Sequence, residues 1–214
     1  DVTGVQTCAL PICSLARHPC RHRWGDFGLI PSRTAPRCGT IRPPLCPSLI
    51  TVNGTLGAPM AKQYWLMKSE PYVYSIDDLE RDGSTCWEGV RNYKARNNMR
   101  DMKTGDEVLY YHSNAKPPGV VGIARVCREA YPDHFAFDQK HKYFDAKSDP
   151  DNPRWYMVDI EFVSKIDDVE EPLSLNDIKA DEKLSDMELV RYGRLSVQSV
   201  KKAEFDRVKK LAGL

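Results

Sequence analysis

The sequence predicts an α+β fold: a small mixed β-barrel with short helices inserted between its strands. Three observations lead there. Runs of strand-forming residues recur at 63–68, 107–112, 120–126 and 155–166. Two Ser-x-x-Asp signatures, Ser75 with Asp78 and Ser174 with Asp177, open short helical segments between them. The turn chemistry, with Pro117-Pro118-Gly119 between two of the strands, favours antiparallel connections over a doubly wound sheet.

Taken in order, Gln63-Tyr64-Trp65-Leu66-Met67-Lys68 reads as a buried strand stopped by Ser69-Glu70-Pro71. Ser75 then caps a helix that carries Ile76 and Leu79 on one face and stops at Asp82-Gly83. Residues 93–102 fit a second short helix, ended by the turn at Thr104-Gly105-Asp106. Strands 107–112 and 120–126 should pair as a hairpin, with Tyr131-Pro132-Asp133 closing the second. Residues 133–153 form a polar connection broken by Asp149-Pro150 and Asn152-Pro153, and loops of this length are often functional. From Trp155 to Ile166 apolar and polar positions alternate, as in a strand with one buried face. Ser174 opens a helix with Leu175 and Ile178 inward, 187–190 a helical turn, and 194–198 an extended piece. A last helix begins near Val200, with Phe205, Val208, Leu211 and Ala212 on one side and lysines on the other.

The 214 residues divide by composition. Residues 1–59 hold five of the seven cysteines, eight of the fifteen prolines, six arginines and no lysine. Six of the 31 basic and two of the 30 acidic residues fall there, so the first part is +4 and the remainder −3. The first methionine is Met60. Cysteines 8, 13, 20, 38 and 46 match no paired Cys-x-x-Cys zinc pattern, and the segment shows neither a signal-peptide h-region nor a sustained helical period. Arginine, proline and cysteine without lysine is what GC-rich DNA yields in an unselected frame. Residues 1–59 are therefore expected to be an extraneous, disordered leader, and 60–214 the domain proper. No run of apolar residues is long enough for a membrane helix, and no membrane partner is expected.

Chemistry concentrates in Trp87-Glu88-Gly89-Val90-Arg91-Asn92-Tyr93-Lys94-Ala95-Arg96-Asn97. Aromatic faces stack on flat ligands, Arg and Asn make paired hydrogen bonds, and Gly lets backbone approach closely, which together are the parts of a nucleobase pocket. A packed strand-to-helix corner with solvated charges is the alternative. His112-Ser113 invites a nucleophile reading, but no Gly-x-Ser-x-Gly elbow is present. Cys86 and Cys127 read as small buried hydrophobes, Asp167-Asp168 and Glu170-Glu171 as solvated surface, and no phosphate loop occurs. No catalytic residue, metal site or cofactor is expected. A pocket gathering Lys68, Ser69, Trp87, Gly89, Val90, Arg91, Asn92, Tyr93, His112, Ser113, Trp155 and Ser196 could sandwich one base and read its edge, with Lys94, Arg96, Asn97 and Arg100 on flanking phosphates. Trp65 and Tyr64 belong to the core.

Six segments carry a resemblance. Tyr64 through Pro71, Trp87 through Asn97, Tyr111-His112-Ser113-Asn114, Glu129 through Asp133, Asp151 through Trp155 and Arg194 through Gln198 occur in the order found in the EVE domain family, which the stretch from Met60 onward resembles. Lys94 departs from the glutamine of many relatives. The resemblance implies a PUA-like fold related to the YTH readers and a non-catalytic module that reads a modified nucleobase, foremost a modified cytosine in DNA. An RNA- or tRNA-binding module without modification readout is the alternative, and a small hydrolase a third. It also implies a nucleic-acid partner, with a restriction or tRNA-processing enzyme as a further one, and a cytoplasmic protein of bacterial-type source.

Overall fold

The computed structural model describes residues 61–214, and the expectation for residues 1–59 lies outside them. Strands β1 (Tyr64–Ser69), β2 (Ser84–Trp87), β3 (Glu107–His112), β4 (Gly119–Pro132), β5 (Tyr156–Lys165), β6 (Leu173–Ser174) and β7 (Val197–Val200) form one sheet, in the order β2-β5-β4-β3-β1-β7 with β6 on β4. Five helices punctuate it: α1 (Ile76–Asp82), α2 (Tyr93–Asp101), α3 (Leu175–Ala180), α4 (Glu188–Arg191) and α5 (Lys202–Ala212).

The α+β class holds, but the barrel does not close. The outermost strands β2 and β7 pair with β5 and β1 and not with each other. Helix α2 occupies the place where closure would fall: Met99 and Ala95 enter the core, and the Asn98 amide donates to the Val197 carbonyl of β7 at 2.8 Å. Pairing is antiparallel except for β1 with β3, which run parallel because the crossover through α1, β2 and α2 returns the chain to the same end of the sheet.

Alternation along the strands divides the apolar residues between the two faces. Trp65, Met67, Val108 and Tyr110 enter one core with α1 and α2, while Leu66, Leu109 and Tyr111 enter a second with Ile178, Leu189, Phe205 and Val208. Trp65 is buried as expected, and its Nε1 donates to Asp106 at 2.9 Å. Tyr64 packs against Phe205 at the margin of the second core. Both Ser-x-x-Asp signatures are capping boxes, and Gly83 ends α1 with φ of +76°. Leu211 departs from the pattern, 40% exposed where α5 reaches its end. Cys86 and Cys127 are only half-buried.

Candidate nucleic-acid interface

The turn from β2 into α2 is built by two local devices. Gly89 adopts φ of +74°, and a Cβ there would sit 2.4 Å from the Tyr143 ring, so only glycine lets that ring lie on the backbone. Asn92 then caps α2, its side-chain oxygen accepting from the Lys94 and Ala95 amides at 2.9 and 3.1 Å. The Asn92 carbonyl oxygen, expected at a base edge, is thus engaged by the helix.

Arg91 and Tyr93 project from this turn. The Arg91 guanidinium donates to the Asp133 carboxylate at 2.7 Å and, from Nε and Nη2, to the Tyr143 carbonyl. It lies 5.4 Å from the Trp155 ring and 5.6 Å from that of Tyr143. Tyr93, 55% exposed, stacks on Trp155 with centroids 5.1 Å apart and planes inclined by 29°. Trp155 itself is 6% exposed and is fixed by its Nε1, which donates to Asp145 at 2.7 Å. Hydrogen bonds from Lys147 and Trp155 hold the Asp145 carboxyl below the usual carboxylate range. Tyr143, Arg91, Trp155, Tyr93 and Arg96 therefore make a continuous series of rings and guanidinium groups. Such a series is preorganised for flat, electron-rich or anionic ligands.

The other expected residues gather elsewhere. Ser69, His112 and Ser113 meet at the ends of β1 and β3, where the Ser69 carbonyl accepts from the Ser113 amide at 2.7 Å and from its hydroxyl at 3.2 Å. The Ser69 hydroxyl donates to the Tyr74 carbonyl. Lys68 is buried, with Nζ on the Gly193 carbonyl at 2.6 Å and 5.5 Å from the Tyr111 ring, and its amide bonds the carbonyl of buried Ser196. His112 accepts the Ile76 amide on Nε2 at 3.1 Å, which keeps the imidazole neutral, and burial depresses its pKa to about 4. A cavity of about 320 Å³ lies against His112, Ser75, Asp77, Lys116 and Glu170, and of the expected pocket residues only His112 lines it. The two groups are linked through the interior, where Trp87 meets Tyr110 edge-on at 5.7 Å and Tyr110 meets His112 at 5.8 Å.

Several placements correct the expectation of one open mouth. Trp87, expected as a pocket wall, is fully buried because its strand turns it into the first core, as is Val90. Among the described residues the Trp87 indole N–H finds no hydrogen-bond acceptor. Of the residues assigned to phosphate, Lys94 instead pairs with Glu188 at 2.6 Å and lies over Tyr192, and Asn97 accepts from Arg96. Arg96 also donates to the Arg154 carbonyl at 2.9 Å, and Arg100 rests over Tyr156. Sequence reasoning missed the 133–145 segment as a wall of the site. Two buried carboxylates anchor it to the turn: Asp133 on Arg91 and on the Gly89 amide, and Glu88 facing His141 at 3.9 Å. The Tyr131-Pro132-Asp133 motif was visible in sequence, but nothing local marked Asp133 as the partner of Arg91.

An open α+β sheet carrying a preassembled stack of rings and guanidinium groups on its surface defines a small binding module for flat ligands. The chain belongs to the EVE domain family, whose profile, described as EVE domain, matches residues 63–211. Thymocyte nuclear protein 1 of Rattus norvegicus is 42% identical over 162 residues, covering 67% of this chain and 70% of that protein. The Homo sapiens protein of that name is 41% identical over 164 residues, covering 68% and 72%. Among solved structures, a hypothetical protein from Leishmania major superposes with a TM-score of 0.67 at 46% identity, covering 71% of this chain and 95% of that one. Human THYN1 protein in complex with 5-methylcytosine containing DNA superposes at 0.66 with 39% identity, covering 72% and 99%. These relatives correct the expected bacterial-type, cytoplasmic source: the curated proteins of this name come from eukaryotes and are called nuclear. Motifs that shape a base site carry no compartment address, so the sequence alone had no basis for that inference. Among the described residues no helix is long and apolar enough to cross a membrane.

Proposed function

We propose that this chain is a non-catalytic nucleic-acid-binding module that reads a modified base, a modified cytosine in DNA. The observation that carries the reading is the Tyr93–Trp155 stack: an exposed ring held on a buried one, with Arg91 fixed beside it by Asp133. Stacking of one base on such a platform is worth about 1–3 kcal/mol and needs no particular base. Discrimination of a single methyl group adds about 1–3 kcal/mol. Membership of the EVE family and the human relative solved with 5-methylcytosine containing DNA support the choice of ligand. The open sheet with helices on its faces is compatible with the PUA-like lineage that the resemblance implies.

The absence of catalysis is supported by the two groups that invited a hydrolase reading. The Ser113 hydroxyl donates to the Ser69 carbonyl, and the His112 Nε2 lone pair is taken by the Ile76 amide, so neither is disposed to act on the other. The test is fluorescence anisotropy of the full chain with labelled single-stranded oligonucleotides carrying 5-methylcytosine or cytosine, as DNA and as RNA. Tighter binding of methylated DNA, lost in Tyr93→Ala, is the expected result. Equal binding of methylated and plain DNA, unchanged in Tyr93→Ala, contradicts the proposal, and preference for RNA at matched modification moves the ligand to RNA.

A further inference from the structure

Over much of the described surface the cations are neutralised. Lys62 pairs with Glu107, Arg125 with Glu161, Lys165 with Asp77 and Glu80, Lys202 with Asp206, and Arg207 with Asp181. Along the outer side of α2 and the neighbouring 133–145 segment the pattern changes. Arg96, Arg100 and Lys142 have no carboxylate within ion-pair distance among the described residues, and each lies over an aromatic ring instead. Arg96 is 5.0 Å from the Tyr93 centroid, Arg100 is 5.0 Å from that of Tyr156, and Lys142 is 4.6 Å from that of Tyr143. Among the described residues Lys116 and Lys179 also pair with no carboxylate and neither lies over a ring, while buried Lys68 lies 5.5 Å from the Tyr111 ring with its Nζ on the Gly193 carbonyl.

A ring beneath a cation holds its head in place and leaves its charge uncompensated. Arg96 and Arg100 stand one helical turn apart on the same face of α2, about 6 Å along the axis at 1.5 Å per residue, close to the spacing of successive phosphates on one strand. Like charges at that separation repel and weaken a helix slightly. No carboxylate relieves the pair, whereas a bound polyanion would. Arg91 and Arg154, the other guanidinium groups here, are paired with Asp133 and Asp145 and are structural.

We propose that Arg96, Arg100 and Lys142 form a phosphate track that carries one strand of nucleic acid past the Tyr93–Trp155 stack. The proposal rests on the nucleic-acid reading above and separates two tasks on one face: the stack engages a base, and the track grips the backbone without regard to it. A local cluster of cations can serve a domain whose net charge after residue 59 is −3, because backbone binding responds to the field at the contact and not to the net charge.

The track is tested in the full chain by measuring anisotropy over a salt series, with 5-methylcytosine and cytosine oligonucleotides. The variants are Arg96→Gln, Arg100→Gln, Lys142→Gln, their combination, and Lys62→Gln as a control, with thermal unfolding to confirm that each is folded. Each track variant should flatten the plot of log affinity against log salt by about 0.7–0.9, the release expected per phosphate contact. Both oligonucleotides should weaken by the same factor, and the control should match wild type. An unchanged slope in the triple variant, or a loss confined to the methylated oligonucleotide, overturns the track while the base-reading proposal stands. Failure of the wild-type chain to bind either oligonucleotide at any salt overturns both.

Discussion

Replacing Asp133 with alanine removes the group on which the interface hangs. The carboxylate is fully buried and accepts the Arg91 Nη1 at 2.7 Å, the Phe135 amide at 3.0 Å and the Gly89 amide at 3.2 Å. Breaking a buried ion pair by deleting one partner costs about 3–5 kcal/mol. The buried Gly89 amide left unsatisfied would cost about 1–3 kcal/mol if nothing relaxed, and the partly buried Phe135 amide less, since water can reach it. Against this, the Arg91 side chain is 21% exposed and retains water, so the lower part of the ion-pair range applies. The worked expectation is a loss of about 3–4 kcal/mol in unfolding free energy, read by urea denaturation of the full chain at pH 7. Asp133→Asn keeps an acceptor of the same shape but loses the charge, and should lose about half as much. Arg91 also holds the Tyr143 carbonyl, so the alanine variant should bind the methylated oligonucleotide at least about tenfold more weakly in conditions where it remains folded. An alanine variant within about 1 kcal/mol of wild type, binding normally, would refute the claim that this buried pair organises the interface.

Further outcomes follow from the same geometry. Tyr93→Ala should leave stability within about 0.5 kcal/mol, since the ring is mostly exposed, yet lose about 1–3 kcal/mol of oligonucleotide binding by anisotropy. Gly89→Ala places a methyl group into the Tyr143 ring at a positive φ and should destabilise by at least about 1–3 kcal/mol in denaturant unfolding. Asp106→Ala strands the Trp65 indole and the Gln63 and Lys103 amides, and should cost about 2–4 kcal/mol by the same measurement. His112 is neutral in the fold, with its pKa depressed to about 4 against an ordinary 6.5. Its contribution is therefore complete above about pH 6.5 and is lost as the pH falls toward 4, because the unfolded chain takes up the proton first. Between pH 7.5 and 5, wild type should lose about 2 kcal/mol more than His112→Gln in unfolding free energy.

Much of the fold was legible because its signals are local. Ser75 and Ser174 announce their helices through the aspartate three residues on, and Gly83 announces a stop. The alternation through Val158 and Ile160 announces a strand with an apolar face inward, although Met157 on the opposite face is buried as well. Strands β2 and β6, four and two residues long, escaped because neither holds enough alternation to stand out, and they form only because β5 and β4 offer them an edge. Within the site, Arg91, Tyr93 and Trp155 were recognisable as ring and guanidinium types and do meet. Tyr143 and Lys142 were not, since the polar segment that carries them has no periodic pattern and reaches the turn only across the fold.

The amino-acid sequence by itself determined where the chain turns, which residues are apolar enough to be buried, and which family the motif order of residues 64–198 resembles, for these depend on neighbours a few positions apart. Tertiary structure alone decided that the sheet stays open, that β1 and β3 run parallel, that Trp87 goes inward, and that His112 accepts the amide of Ile76. It also decided that Asp133, 42 residues beyond Arg91, is its partner. The physical reason is common to all of these: an ion pair, a strand pairing or a stacked ring is chosen by whatever the rest of the fold brings within a few ångströms, and charge, hydrogen-bonding capacity and ring shape do not record that choice along the chain.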